Sequence, residues 1–209
     1  MVATEHQGLA RRLQGLNLYL VGMMGSGKSA VGRPLAEALG YRFIDADQVL
    51  EAAAGRPIPR IFAADGEEGF RELETSVLGQ ISGWHSLVVA TGGGAVTRPQ
   101  NWGHMHQGVV IWLDAPEPLL LSRLSHDPTP RPLMAAADPA ERLAALMATR
   151  RPLYAQADLR ISQAGGQGPE AVAAMILRDL PSILRERPSA PEDPVLLRDG
   201  DGALTHSLN

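Results

Sequence analysis

The chain has 209 residues, 44% of them hydrophobic, which is enough for one domain with a sizeable core, although aromatics make up only 4%. A formal net charge of −4 argues against a nucleic-acid binder, and the absence of cysteine excludes a disulfide framework and a thiolate metal site. No apolar run is long enough for a membrane helix, and the mixed polar stretch Met1–Leu13 lacks the apolar core of a secretion signal, so a cytoplasmic location is expected.

Leu16–Val21 reads as a buried strand that runs into Gly22-Met23-Met24-Gly25-Ser26-Gly27-Lys28-Ser29. A helical pattern follows, with Val31, Leu35, Ala38 and Leu39 on one face and Gly40 as its stop. Pro34 falls inside that helix and is expected to bend or loosen it locally. Tyr41–Asp45 is a second strand, and Asp47–Ala54 a short helix closed by Gly55. Ile58–Ala64 and Gly66–Leu78 read as two further helices, and Leu87–Ala90 as an apolar strand stopped by Thr91-Gly92-Gly93-Gly94. Val109–Leu113 is a fourth strand, Leu119–Leu124 and Ala140–Met147 are helices, Leu159–Ile161 is a fifth strand and Pro169–Leu180 the last helix. Arg185–Asn209 carries three prolines, several charges and no periodic pattern. It is expected to be a poorly ordered tail behind a single domain of residues 1–184. Short apolar strands alternating with helices predict parallel pairing with helices on both faces, an α/β three-layer sandwich around a central five-stranded parallel sheet.

The stretch Gly22–Ser29 matches the pattern G-x-x-x-x-G-K-[ST] between a strand and a helix. Glycines let backbone N–H groups turn inward around phosphate oxygens, and the following helix presents its positive N-terminal end to the same anion. Gly25, Ser26, Gly27, Lys28, Ser29 and Ala30 are therefore expected to cradle the phosphates of ATP. Lys28 would reach the β- and γ-phosphates, and the Ser29 hydroxyl would ligate Mg²⁺, a hard cation suited to oxygen donors. Eighteen of the nineteen basic residues are arginine, and the one lysine of the chain is Lys28. The Asn-Lys-x-Asp signature by which switch GTPases read guanine is consequently absent.

Several later motifs, taken in order and spacing with this loop, identify a family. They are Phe43-Ile44-Asp45-Ala46-Asp47, the run Asp65–Glu74, Ala90-Thr91-Gly92-Gly93-Gly94-Ala95, Arg131-Pro132-Leu133 and Arg150-Arg151-Pro152-Leu153-Tyr154. From about Leu16 to Leu180 the chain resembles shikimate kinase, a P-loop family related in mechanism to the nucleoside monophosphate kinases. The resemblance implies transfer of the γ-phosphate of ATP to the 3-hydroxyl of shikimate, with ATP and shikimate as the partners and a monomer as the working state. It puts Asp45 near Mg²⁺ through water, and Asp47 on the substrate hydroxyls as an orienting group and proton acceptor. The alternative for Asp47 is an N-cap of the helix that follows.

Arg71 and Arg150 are implied to clamp the substrate carboxylate, a task that suits the planar guanidinium fork. Their alternative is surface ion pairing, since Arg71 is surrounded in sequence by acids. Gly93 is implied to form part of the floor of the acid site. The segment Ser122–Ala137, rich in Pro, Asp and Arg, is expected to act as a lid that excludes water and delivers Arg131 to the nucleotide phosphates. Arg123 in that segment reads as a second lid cation outside the assigned site set, and Gln167 is matched to a family position beside the adenine. His104 and His106 lie two apart without a third ligand, which reads as a surface loop. A gluconate kinase would share the phosphate loop but has no reason to keep Arg71, the triple glycine and Arg150. A nucleotide-binding regulator would bind ATP without turning over an acceptor.

Overall fold

The structure is a computed structural model that describes residues 2–126 and 138–184. Five strands form its centre: β1 (Leu18–Val21), β2 (Arg42–Asp45), β3 (Leu87–Ala90), β4 (Val109–Asp114) and β5 (Leu159–Ser162). They pair in the order β2-β3-β1-β4-β5, all parallel. Along each strand the side chains alternate between two apolar layers, as the period of two requires. Tyr19, Val21, Val89, Val110 and Trp112 enter one layer with Leu50, Phe70, Val77 and Leu143. Leu18, Leu20, Val88, Ile111 and Ile161 enter the other with Leu9, Leu35, Val172 and Ile176.

The helices divide accordingly. α3 (Ala46–Ala54), α4 (Ile58–Ser82), α5 (Pro99–Met105) and α7 (Pro139–Tyr154) supply the first layer, with α6 (Glu117–Ser125) at its edge. α1 (Val2–Leu13), α2 (Lys28–Leu39) and α8 (Pro169–Asp179) supply the second. The expected three-layer α/β sandwich with its five parallel strands is the architecture found. Among the described residues no helix is long and apolar enough to cross a membrane.

Two helices lack a strong sequence signal. α1 docks by Leu9 and Leu13, one turn apart, on an otherwise polar stretch. α5 is seven residues long and is entered through Pro99, with Trp102 and Met105 buried. The two helices expected on either side of Asp65 are both present within α4 and meet at a kink at Gly66, where φ is 71° and ψ −174°, the second running on to Ser82. Only glycine adopts that conformation readily. α7 extends beyond the expected Met147 to Tyr154 and passes Pro152 in its last turn, so Arg150 and Tyr154 share one helix. α2 likewise continues past Pro34 to Leu39.

The lower end of the sheet is fastened by Asn17, which is 5% exposed. Its Nδ2 donates to Trp84 O at 2.7 Å, its Oδ1 accepts from Leu87 N at 3.0 Å, and its own carbonyl accepts from Val109 N at 2.8 Å. The residue before β1 thus sets the register of both neighbouring strands. Asn17→Ala leaves the buried Leu87 amide and the part-buried Trp84 carbonyl without this partner. We expect a loss of about 2 kcal/mol, read in a thermal melt as a Tm lower by about 4–8 °C. The Michaelis constants should stay unchanged, because Asn17 lies at the end of the sheet opposite the site described next.

Candidate active site

The carboxyl ends of β1, β2 and β3 point to one side of the sheet, where a parallel α/β fold leaves a crevice. The turn from β1 into α2 holds three glycines with positive φ, Gly22 (146°), Gly25 (78°) and Gly27 (88°). No side chain caps the start of α2, since its N-cap is Gly27 itself. The first-turn N–H groups of α2 are thereby left without a side-chain acceptor. Lys28 folds back over the loop, and its Nζ donates to Gly22 O at 2.9 Å and Met23 O at 3.1 Å.

Ser29 and Asp45 connect this loop to the end of β2, with the Ser29 hydroxyl donating to Asp45 Oδ2 at 2.5 Å. The other oxygen of Asp45 accepts from Asp47 N at 3.1 Å, so Asp45 is the N-cap of α3. That excludes the capping alternative for Asp47 and leaves its carboxylate for other work. A hydroxyl and a carboxylate side by side next to a phosphate-binding turn are hard oxygen donors. They fit Mg²⁺, which takes most of its remaining ligands from phosphate and water.

Around Gly92, Gly93 and Gly94, at the end of β3, four ionisable side chains converge. Arg71 and Arg150 are each 5% exposed, so neither is a surface ion-pairing residue. Arg71 Nη1 donates to Glu74 Oε2 at 2.8 Å, and Nη2 to Glu67 Oε1 at 3.3 Å. Arg150 Nη1 donates to Gly93 O at 3.3 Å. A methyl group on Gly92 would stand 2.6 Å from Glu74 Oε1 and 3.0 Å from Asp47 Oδ1, and one on Gly94 would fall within 2.5 Å of the Arg71 guanidinium. Glycine is therefore a requirement of contact at Gly92 and Gly94, where a side chain would displace the charged groups, whereas a methyl group on Gly93 would stand 3.3 Å from the backbone at Met24 N.

Burial pushes the Asp47 carboxyl above the usual carboxylate range, and the Asp45 charge adds to this, while Lys28 and Arg71 oppose it. Glu74 is raised for the same first reason, with Arg71 opposing. Its Oε1 is buried without a hydrogen-bond partner.

The structure brings Lys28, Ser29, Asp45, Asp47, Arg71, Gly93 and Arg150 to one crevice. Arg131 and the rest of the expected lid from residue 127 onward lie outside the described residues, as does the tail from 185 to 209. Gln167, matched to a position beside the adenine, accepts from Ala164 N through its Oε1 and lies against Met175 Sδ. The phosphate loop is reached by Gln163. Its Nε2 donates to Ser26 O at 2.9 Å and its Oε1 accepts from Arg123 Nη1 at 3.0 Å, the same Nη1 that donates to Gly25 O at 3.2 Å. Sequence reading gave no role to Gln163, Glu74 or Tyr154, and named Arg123 only as a second cation of the lid segment. Glu74 had one usable signal, the i,i+3 spacing from Arg71 on a helix. The His106 ring lies tilted against Trp102 with centroids 5.0 Å apart, and among the described residues no cluster of three potential ligands forms around either histidine.

The family model that matches the chain is described as shikimate kinase and spans residues 24–181. A shikimate kinase of Synechococcus sp. (strain RCC307) is 62% identical over 186 residues, covering 89% of this chain and 94% of the relative. One from Synechococcus sp. (strain CC9605) is 58% identical over 186 residues, covering 89% of this chain and 93% of the relative. Among solved structures, the shikimate kinase from Acinetobacter baumannii in complex with shikimate superposes with a TM-score of 0.77 at 40% identity, over 81% of this chain and 95% of that one.

The raised Asp47 carboxyl gives a prediction with a definite sign. A carboxyl whose pKa is higher in the folded chain than in the unfolded one opposes folding once the pH is above the unfolded value, and stops doing so as the group becomes protonated. Asp47→Asn should therefore raise the Tm of the ligand-free protein at pH 7, and the gain should shrink as the pH falls through the ordinary carboxylate range. Melts of both proteins across pH 3–8 check this.

Proposed function

The chain belongs to the shikimate kinase family, and on that premise we propose how its own residues move the γ-phosphate of ATP to the 3-hydroxyl of shikimate. The observation that carries the reading is the pair of buried guanidinium groups, Arg71 and Arg150, beside Asp47 and the glycine run, next to a phosphate-binding turn. An anionic acid with neighbouring hydroxyls is the ligand such a set recognises.

Gly25, Ser26, Gly27, Lys28, Ser29 and Ala30 hold the nucleotide phosphates, with Lys28 neutralising charge that builds on the transferred group. Ser29 and, through water, Asp45 are the residues that would hold Mg²⁺, which when bound neutralises charge shared between the β- and γ-phosphates. Arg71 and Arg150 fix the carboxylate, and the backbone at Gly93 forms the floor. Asp47 orients the attacking hydroxyl and accepts its proton. Its raised basicity serves this role, because a carboxylate with a pKa closer to the working pH is the stronger acceptor.

Arg131 is assigned by its motif to the transition-state phosphates, and Gln167 to the loop beside the adenine. The transfer is direct and in line, driven by positioning and electrostatics. A monomer as the working unit is what the resemblance to the family implies, and it forms part of the proposal.

The test is shikimate-dependent ADP release from Mg-ATP in a coupled assay, with gluconate as the control acceptor. Lys28→Ala should lower kcat by about 10³-fold with the melt little changed. Arg71→Ala should raise KM for shikimate by about 10²-fold and leave KM for ATP near its starting value. Equal loss of both substrates would overturn the assignment of Arg71.

A further inference from the structure

The motif Arg150–Tyr154 contributes a second side chain to the site. Tyr154 sits one helical turn after Arg150 on α7, on the same face. It is 1% exposed, and its ring stacks on Trp112 with centroids 5.9 Å apart. Its hydroxyl reaches Gly93 O at 2.5 Å and lies 3.4 Å from Met23 Sδ. A phenol has one proton to give, and the shorter distance assigns it to the Gly93 carbonyl, with Met23 packed against the same oxygen. Burial pushes the phenol up to about 12, so it stays a neutral donor across the working pH range.

Three glycines in a row have little conformational preference of their own. The Gly93 carbonyl and the Gly94 N–H belong to one planar trans peptide, so holding the carbonyl on one side aims the N–H to the other. Met23 belongs to the phosphate loop. The same hydroxyl therefore touches the floor under the acceptor and the loop that grips the donor. In-line transfer is sensitive to the separation of those two parts at the level of an ångström.

We propose that Tyr154 is a positioning residue for the transfer, its hydroxyl fixing the Gly93–Gly94 peptide plane and registering the acceptor floor against the phosphate loop. The inference rests on the phosphotransfer reading above and adds to it a group that touches neither substrate.

Tyr154→Phe tests it, because the substitution removes one oxygen and keeps the buried ring. Initial rates over both substrates should show KM for shikimate raised and kcat lowered, each by up to about tenfold, the size of one buried hydrogen bond realised at the reacting geometry. KM for ATP should be unchanged and the Tm within a few degrees of the starting protein. Kinetics indistinguishable from the unsubstituted chain would overturn the proposal. So would a large fall in Tm, or in the folded fraction, with the Michaelis constants of the surviving enzyme unmoved, since that pattern marks packing alone. If the unsubstituted chain released no ADP with shikimate, the family reading would fail first, and the two failures are distinguishable.

Discussion

The structure depends on a group of charges placed where water is largely excluded. Arg71, Glu74, Asp47 and Arg150 meet around three glycines, and each would be costly to bury alone. They are tolerable together because Arg71 pairs with Glu74 and Arg150 finds the Gly93 carbonyl. What remains unbalanced is informative. Asp47 and Glu74 are both driven toward their neutral forms, and one oxygen of Glu74 is without a partner. Carboxyl groups raised in this way by burial are arranged for binding at the expense of stability.

The fold makes this placement possible by supplying the charges from different elements. Asp47 comes from the first turn of α3, Arg71 and Glu74 from α4, and Arg150 from the end of α7. The parallel sheet directs the ends of β1, β2 and β3 to the same edge, so the phosphate loop, the Asp45–Asp47 pair and the glycine run become neighbours without long loops. Asp45 shows how economically the residues are used. One oxygen caps α3 and the other holds Ser29, which ties the start of the acceptor side to the nucleotide side. Gln163 does the same from β5, fastening Ser26 and Arg123 at the outer turn of the phosphate loop.

Much of this was legible in the residues. The strands were recognisable because parallel strands buried on both faces read as apolar runs, and the phosphate loop because its glycines and lone lysine have a fixed spacing. The helix boundaries were less accessible. Among the described side chains of α1, Leu9 and Leu13 are the buried ones, with Ala10 packed beside them, too sparse a pattern to announce a helix, and α7, expected to end at Met147, continues through Pro152 to Tyr154. Asp45 and Asp47 each carry a carboxylate at the start of α3, and residue type does not say which one caps. Backbone geometry assigns the cap to Asp45 and leaves Asp47 to the site.

The sequence by itself therefore determined the α/β class and the phosphate-binding turn, because these follow from periodicity and local spacing along the chain, and its quoted motifs carried the resemblance to the family. Only the tertiary structure decided that Arg71 and Arg150 are buried in one place, that Gln163 fastens the phosphate loop, and that Tyr154 touches both loops. Those facts depend on distances between residues up to 137 positions apart in the chain. Burial and pairing across such separations arise when the sheet closes, and no local pattern of residue types encodes them.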